Sequence, residues 1–123
     1  MTAQYRPGDE QYALWQASAG LEAIVAELCG RLQPFPAFLG MTTIQAIELD
    51  PSPAPSLDLG CVVVTPDGTI AELDVTAIPG VVGVLELDQV EEFRPLDLPV
   101  QARLTYLTEA VRVLAAEIVR RDG

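Results

Sequence analysis

From Asp9 to about Leu32 the apolar residues Leu14, Ala17, Leu21, Ile24, Val25, Leu28 and Leu32 recur at helical spacing, with Glu22 and Glu27 elsewhere on the wheel. The pattern predicts a first helix, with Asp9 as its cap and Glu10 favoured by the positive end of its dipole. Gly20 falls in the middle, where it costs about 1 kcal/mol relative to Ala and signals a kink or a close helix crossing. Pro34 and Pro36 end the helical pattern and hold Phe35 to Phe38 extended. Met41 to Leu49 then reads as a strand whose alternation is imperfect: Ile44 and Ala46 share one parity, Ile47 and Leu49 the other, a sign of a bulge or of burial on both faces. Asp50 to Ser56, with three prolines in alternation, reads as a stiff surface loop.

The sharpest local signal is Pro66-Asp67-Gly68 between two apolar runs, Leu59 to Thr65 and Thr69 to Thr76. Proline fixes φ, aspartate bonds its own backbone and glycine supplies a left-handed position, so the segment predicts a hairpin. Val81 to Leu87 predicts a further antiparallel strand, and Val90 to Leu96 a short edge strand. From Asp97, as cap, to about Arg121 runs a second helix with Pro99 in its first turn. Its apolar seam Val100, Leu104, Leu107, Val111, Leu114, Ile118 is spaced 4-3-4-3-4. Tyr106, Ala110 and Val113 widen the stripe on one side, Ala115 and Val119 on the other. Glu117 is placed to pair with Arg120 and Arg121.

The expected fold is α+β: an N-terminal helix, an antiparallel sheet of four to five strands around a central hairpin, and a long amphipathic C-terminal helix packed on the sheet. Residues 1–8 read as a flexible N-terminus and 9–123 as one domain, in line with a length of 123 residues.

Composition narrows the chemistry. All seven basic residues are Arg; Lys, His and Asn are absent, and eighteen acidic residues bring the net charge to −11. Without His there is no Ser-His-Asp or Cys-His arrangement and no His-ligated zinc; without Lys there is no Schiff base and no phosphate-gripping lysine. The negative field opposes nucleic acid and anionic membrane surfaces as partners. Cys29 and Cys61 lie 32 positions apart with no CxxC spacing and read as buried thiols. The first residues lack a basic region followed by an apolar run, so the cytoplasm is the expected compartment. No cofactor is expected.

Four places remain as candidates for function. Phe35 and Phe38, with Tyr12 and Trp15, read as an aromatic lid on the core; alternatively Phe35 to Leu39, stiffened by proline, presents an apolar patch to a partner. Tyr106 and Val113 widen the C-terminal seam beyond what one sheet face requires, which fits ordinary packing, pairing with a second copy, or acceptance of a client segment. Glu86, Asp88, Glu91 and Glu92 form an acidic group that lacks the spacing of a calcium loop and reads as a solvated face or a contact for a basic partner. Gly80-Val81-Val82-Gly83 has the form of a GxxG loop, but its flanks are apolar and acidic, so it reads as a turn into a strand. In small size, low isoelectric point and long amphipathic final helix the chain is similar in bulk to secretion-type chaperones, with no diagnostic residue to carry over. The favoured expectation is a non-enzymatic protein-binding module, an assembly factor or chaperone-like accessory protein, acting as a homodimer on a partner with a basic surface. The alternatives are an inhibitor or immunity-type protein that blocks a basic site by anionic mimicry, and a small-molecule-binding domain or minor enzyme with a pocket between sheet and helix.

Overall fold

The helical spacing of the first segment forms α1, Pro7–Gly30, and the seam of the last forms α2, Val100–Asp122. Between them, in the computed structural model, lie β1 (Ala37–Phe38), β2 (Met41–Gln45), β3 (Ile47–Glu48), β4 (Cys61–Val64), β5 (Ile70–Leu73) and β6 (Phe93–Pro95). The structure describes residues 7–38, 41–55, 57, 59–73 and 93–122. The strand expected over Val81 to Leu87, the Gly80 to Gly83 loop and the acidic group Glu86, Asp88, Glu91 and Glu92 lie outside the described residues, as do residues 1–6. The class is α+β: β1 and β2 form a two-stranded antiparallel sheet, and β3-β4-β5-β6 a four-stranded antiparallel meander.

The expected hairpin is β4–β5, with Val64 opposite Ile70 and Cys61 opposite Leu73. Its turn is fixed from both sides. Thr65 Oγ1 donates to the Asp67 carboxylate, which also accepts from the Thr69 N–H at 3.1 Å, and Gly68 takes φ +88°. That positive φ is where glycine is required.

The run Cys61 to Val64 does not alternate in polarity because both faces of β4 are covered. Val62, Val64 and Ile70 join Val25, Cys29 and Leu32 of α1 and Tyr106, Leu107, Ala110 and Leu114 of α2 in one core. On the opposite face Val63 and Leu73 meet Phe38, Ile44 and Ala46 from the β1–β2 sheet in a second core. The uneven alternation of Met41 to Leu49 now has its cause. Ile44 and Ala46 serve the second core, Leu49 and Ile47 the first, and the strand breaks at Ala46, where its pairing passes from β1 to β4.

Three local expectations change. α1 begins at Pro7, so Asp9 sits within its first turn rather than at its cap, beside Glu10, which is in the first turn as expected. The first bond of α2 runs from the Arg103 N–H to the Pro99 carbonyl, which puts Pro99 rather than Asp97 at the cap position. At Gly20 an added Cβ meets nothing within 4 Å, so no close helix crossing uses that glycine. Ser18, Leu21, Val25, Leu28 and Leu32 face the core, whereas none of residues 8–17 is buried and Ile24 is 45% exposed. The first third of α1 therefore projects past the core. Among the described residues no helix is long and apolar enough to cross a membrane.

Candidate functional site

Phe35 and Phe38 lie three positions apart in an extended segment, so their side chains leave opposite faces of the chain. Phe35 enters the first core and Phe38 the second, at 6% and 3% exposure. The alternative of the pair as a surface patch is thus corrected: the two rings point to opposite sides of the chain and each is buried in its own core. Tyr12 and Trp15 do not join them as a lid; both are exposed on the projecting part of α1, where the Tyr12 hydroxyl accepts from Gln16 Nε2 at 2.8 Å.

On α2 the buried positions are Val100, Ala102, Tyr106, Leu107, Ala110 and Leu114. Leu104, Val111 and Ile118 of the expected seam are only half-buried, so the helix is rotated toward its Tyr106 and Ala110 side. Tyr106 is consequently a core residue at 6% exposure, and burial, with the nearby Asp50 charge, pushes its phenol pKa up. Val113 is half-buried: it packs against the first core and also reaches a second neighbourhood.

That neighbourhood is a groove of about 400 Å³ between the C-terminal half of α2 and the β1 and β3 strands. Pro36 stiffens one wall and Phe38 and Ala46, both nearly fully buried, form the floor; Val113 and Ala116 form the helix wall. Arg112 and Arg120, two turns apart and about 70% exposed, stand at the rim. Neither guanidinium is unsatisfied. Arg112 bonds both Glu109 oxygens at 3.0 and 2.7 Å, and Arg120 bonds both Glu117 oxygens at 3.1 and 2.5 Å, with Arg121 adding a further bond to Glu117 at 3.0 Å. These bidentate bonds hold the Glu109 and Glu117 carboxyls below the usual carboxylate range. The rim is therefore ion-paired and the walls are apolar. Among the described residues no hydroxyl or thiol lines the groove.

The two thiols are ill suited to chemistry. Cys29 Sγ lies 3.5 Å from the Thr65 carbonyl oxygen in the core, and burial, with the Asp67 charge adding, pushes its pKa up to about 11. Burial, then Glu48, also raises that of Cys61. Both are free thiols, Cys29 buried and Cys61 half-buried. Among the described residues no group of three or more His, Cys, Asp or Glu side chains is placed to hold a metal ion.

Of the residues expected to bind a partner, Phe38 and Val113 meet at the groove, Phe35 and Tyr106 are taken by the core, and the four acidic residues are outside the described part. Pro36 and Ala37 belong to the expected Phe35 to Leu39 segment, whereas Ala46, Ile47, Glu48, Arg112 and Ala116 were not anticipated. Small residues at 115 and 116 between two ion-paired turns were the available signal. No family model, curated protein or solved structure matches the chain.

Proposed function

We propose that the chain is a non-enzymatic protein-binding module that receives an apolar segment of a protein partner in the groove beside α2. The observation that carries this reading is the groove itself: apolar walls from two separate elements, a rigid proline-bounded edge, and rim charges already neutralised by one another. Four of the seven arginines and three of the eighteen acidic residues lie in α2, so this helix carries +1 and the remainder of the chain −12. The helix that walls the groove is thus less acidic than the rest of the chain, which lowers like-charge repulsion of an acidic polypeptide beside it. The module is taken to act as a homodimer, and Val119, at 69% exposure on the same helix, is the position at which that contact is tested.

The test is a benzophenone side chain introduced at Ala116 and, as control, at Gln11 on the projecting part of α1, followed by irradiation in extract. The expected result is a polypeptide adduct from position 116 alone, abolished by Val113→Arg. Equal adducts from both positions, or a substrate turned over at a rate abolished by changing Glu48 or Glu117, would overturn the reading. Light scattering is expected to give twice the chain mass, reduced to the chain mass by Val119→Glu.

A further inference from the structure

We infer that residues 8–17 of α1 form an arm that unwinds without disturbing either core, and that Ser18, Glu22 and Arg103 are the latch at which the unwinding stops. The inference is independent of the groove, which lies along the other half of α2 from Arg103 and is lined by no residue of α1. Its starting point is the division of burial along one continuous helix. Of residues 8–17 none is buried, and Leu14, the one that is half-buried, belongs to neither core among the described residues. From Ser18 onward the helix is docked: Ser18, Val25 and Cys29 are at most 1% exposed, and Leu21 and Leu28 pack against the first core.

Each residue added to an existing helix gains a free energy close to zero in water, so turns that bury nothing are marginal even when a docked helix supplies their nucleus. The Tyr12–Gln16 bond ties the arm to itself and not to the core. The turns from Ser18 on can open only by giving up packed surface. The two parts of α1 therefore open at very different free energies, and segments that change shape are drawn from the low-stability end. The arm can reorder, carrying the exposed Tyr12 and Trp15 with it, while the groove keeps its walls.

The border between the two parts carries a polar cluster. The Ser18 hydroxyl donates to Glu22 Oε2 at 3.5 Å, and the same oxygen accepts from Arg103 Nε at 2.6 Å and from Arg103 Nη2. Glu22 and Arg103 are both half-buried, and Arg103 stands in the first turn of α2, so the cluster joins the two helices where the packed part of α1 begins. Unwinding past Ser18 would pull it from its buried position and strip a donor from Glu22. Gly20 lies inside the latched turn, where an added Cβ meets nothing within 4 Å, so Gly20→Ala stiffens that turn without a new contact.

In an α-helix the N–H of residue i bonds the carbonyl of residue i−4, so unwinding residues 8–17 releases the amides of residues 12–21 and spares those from Glu22 on. The test is residue-resolved hydrogen exchange of the full chain by nuclear magnetic resonance. In the wild type, amides 12–21 are expected to exchange within about tenfold of an unstructured chain, and those of Val25 and Cys29 about a thousandfold more slowly or beyond, with the step between residues 21 and 22. Glu22→Gln and Arg103→Gln, each checked for an unchanged circular dichroism spectrum, are expected to speed amides 22–24 about fivefold. Gly20→Ala is expected to slow the same three about fivefold. All three variants should leave amides 12–21 unchanged, because the arm opens with the latch still closed.

Amides 12–21 protected as strongly as those of Val25 and Cys29 overturn the arm. Amides 12–21 that respond to the latch variants as much as 22–24 show that unwinding runs through Ser18 and overturn the latch, as does a lack of response at 22–24.

Discussion

Gly68 ties the β4–β5 turn to α1, and replacing it with Ala tests that connection with a magnitude that follows from the geometry. At φ +88° an L side chain costs about 1–2 kcal/mol. The added Cβ would also stand 3.1 Å from the Cα of Ala26 and 3.4 Å from its Cβ and N. The turn has little room to retreat: the Gly68 N–H bonds the Thr65 carbonyl at 2.9 Å, the Thr65 N–H bonds the Thr69 carbonyl at 3.0 Å, and the Cys29 thiol meets the same Thr65 carbonyl from α1. Moving α1 by a few tenths of an ångström against the packed core adds about 1 kcal/mol, as overpacking does. The loss of unfolded-state freedom on going from Gly to Ala returns about 0.5 kcal/mol. Gly68→Ala is therefore expected to destabilise by about 2 kcal/mol. With a urea dependence of about 1.5 kcal/mol per molar, the midpoint followed by circular dichroism falls by about 1.3 M.

Two companion variants separate the causes. Asn tolerates the left-handed region but carries the same Cβ, so Gly68→Asn recovers the conformational part of the loss and leaves the contact with Ala26. Ala26→Gly removes the Cβ at 3.4 Å but not the Cα at 3.1 Å, so it does not rescue Gly68→Ala. A cost below about 0.5 kcal/mol for Gly68→Ala, within the range of an ordinary surface substitution, would refute the reasoning. Full rescue by Ala26→Gly would refute the backbone contact.

Leu114 is fully buried, and Leu114→Ala is expected to cost about 2–5 kcal/mol in urea unfolding, against less than half of that for the half-buried Ile118→Ala; equal costs would contradict the rotation of α2. With its pKa near 11, Cys29 is about one part in a thousand thiolate at pH 8, and Cys61 is also shifted up, so the native protein should react slowly with a thiol-specific disulfide reagent and release two equivalents once unfolded. Two fast-reacting thiols in the native state would contradict the assignment. Asp67 is held below the usual carboxylate range, first by the Thr65 hydroxyl and further by its bonds from Thr69. Because its pKa is lower folded than unfolded, its stabilisation is full above about pH 4 and is lost as pH falls through the folded value. The stability difference between wild type and Asp67→Asn should thus be largest near neutrality and vanish in acid; a difference independent of pH would contradict it.

The elements that were legible in the sequence are those with local causes. Pro66-Asp67-Gly68 specifies its turn through three residues that act on their own backbone, and the helical and strand patterns report which side of each element is wet. Even the irregular strand was informative, since Ile44 and Ala46 on one parity and Ile47 and Leu49 on the other mark a segment shared by two cores. The odd separation of Phe35 and Phe38 carried the same message, because two side chains three apart on an extended chain cannot lie on one face. What local pattern does not encode is the meeting of distant segments. Pro36 and Val113 face each other across the groove from positions 77 apart in the chain, and the rotation of α2 depends on Tyr106 finding the first core rather than on the spacing of its own seam.

The wide apolar arc of α2 thus divides among three surroundings: Tyr106, Leu107, Ala110 and Leu114 fill the core, Val113 packs against that core and with Ala116 walls the groove, and Val119 meets solvent. The width of the arc alone could not distinguish a docking wall from spare core packing, but the energetics of Val113 can. If Val113 acts as core filler, Val113→Ala should destabilise in the manner of Leu114→Ala, by transfer and cavity terms together. If it walls an open groove, the truncated methyls leave a surface that water can reach, no sealed cavity forms, and the loss should stay within about 1 kcal/mol. The two outcomes differ by more than the error of a denaturation midpoint. A loss above about 2 kcal/mol for Val113→Ala would assign the residue to the core and leave the groove without the helix wall on which its recognition depends.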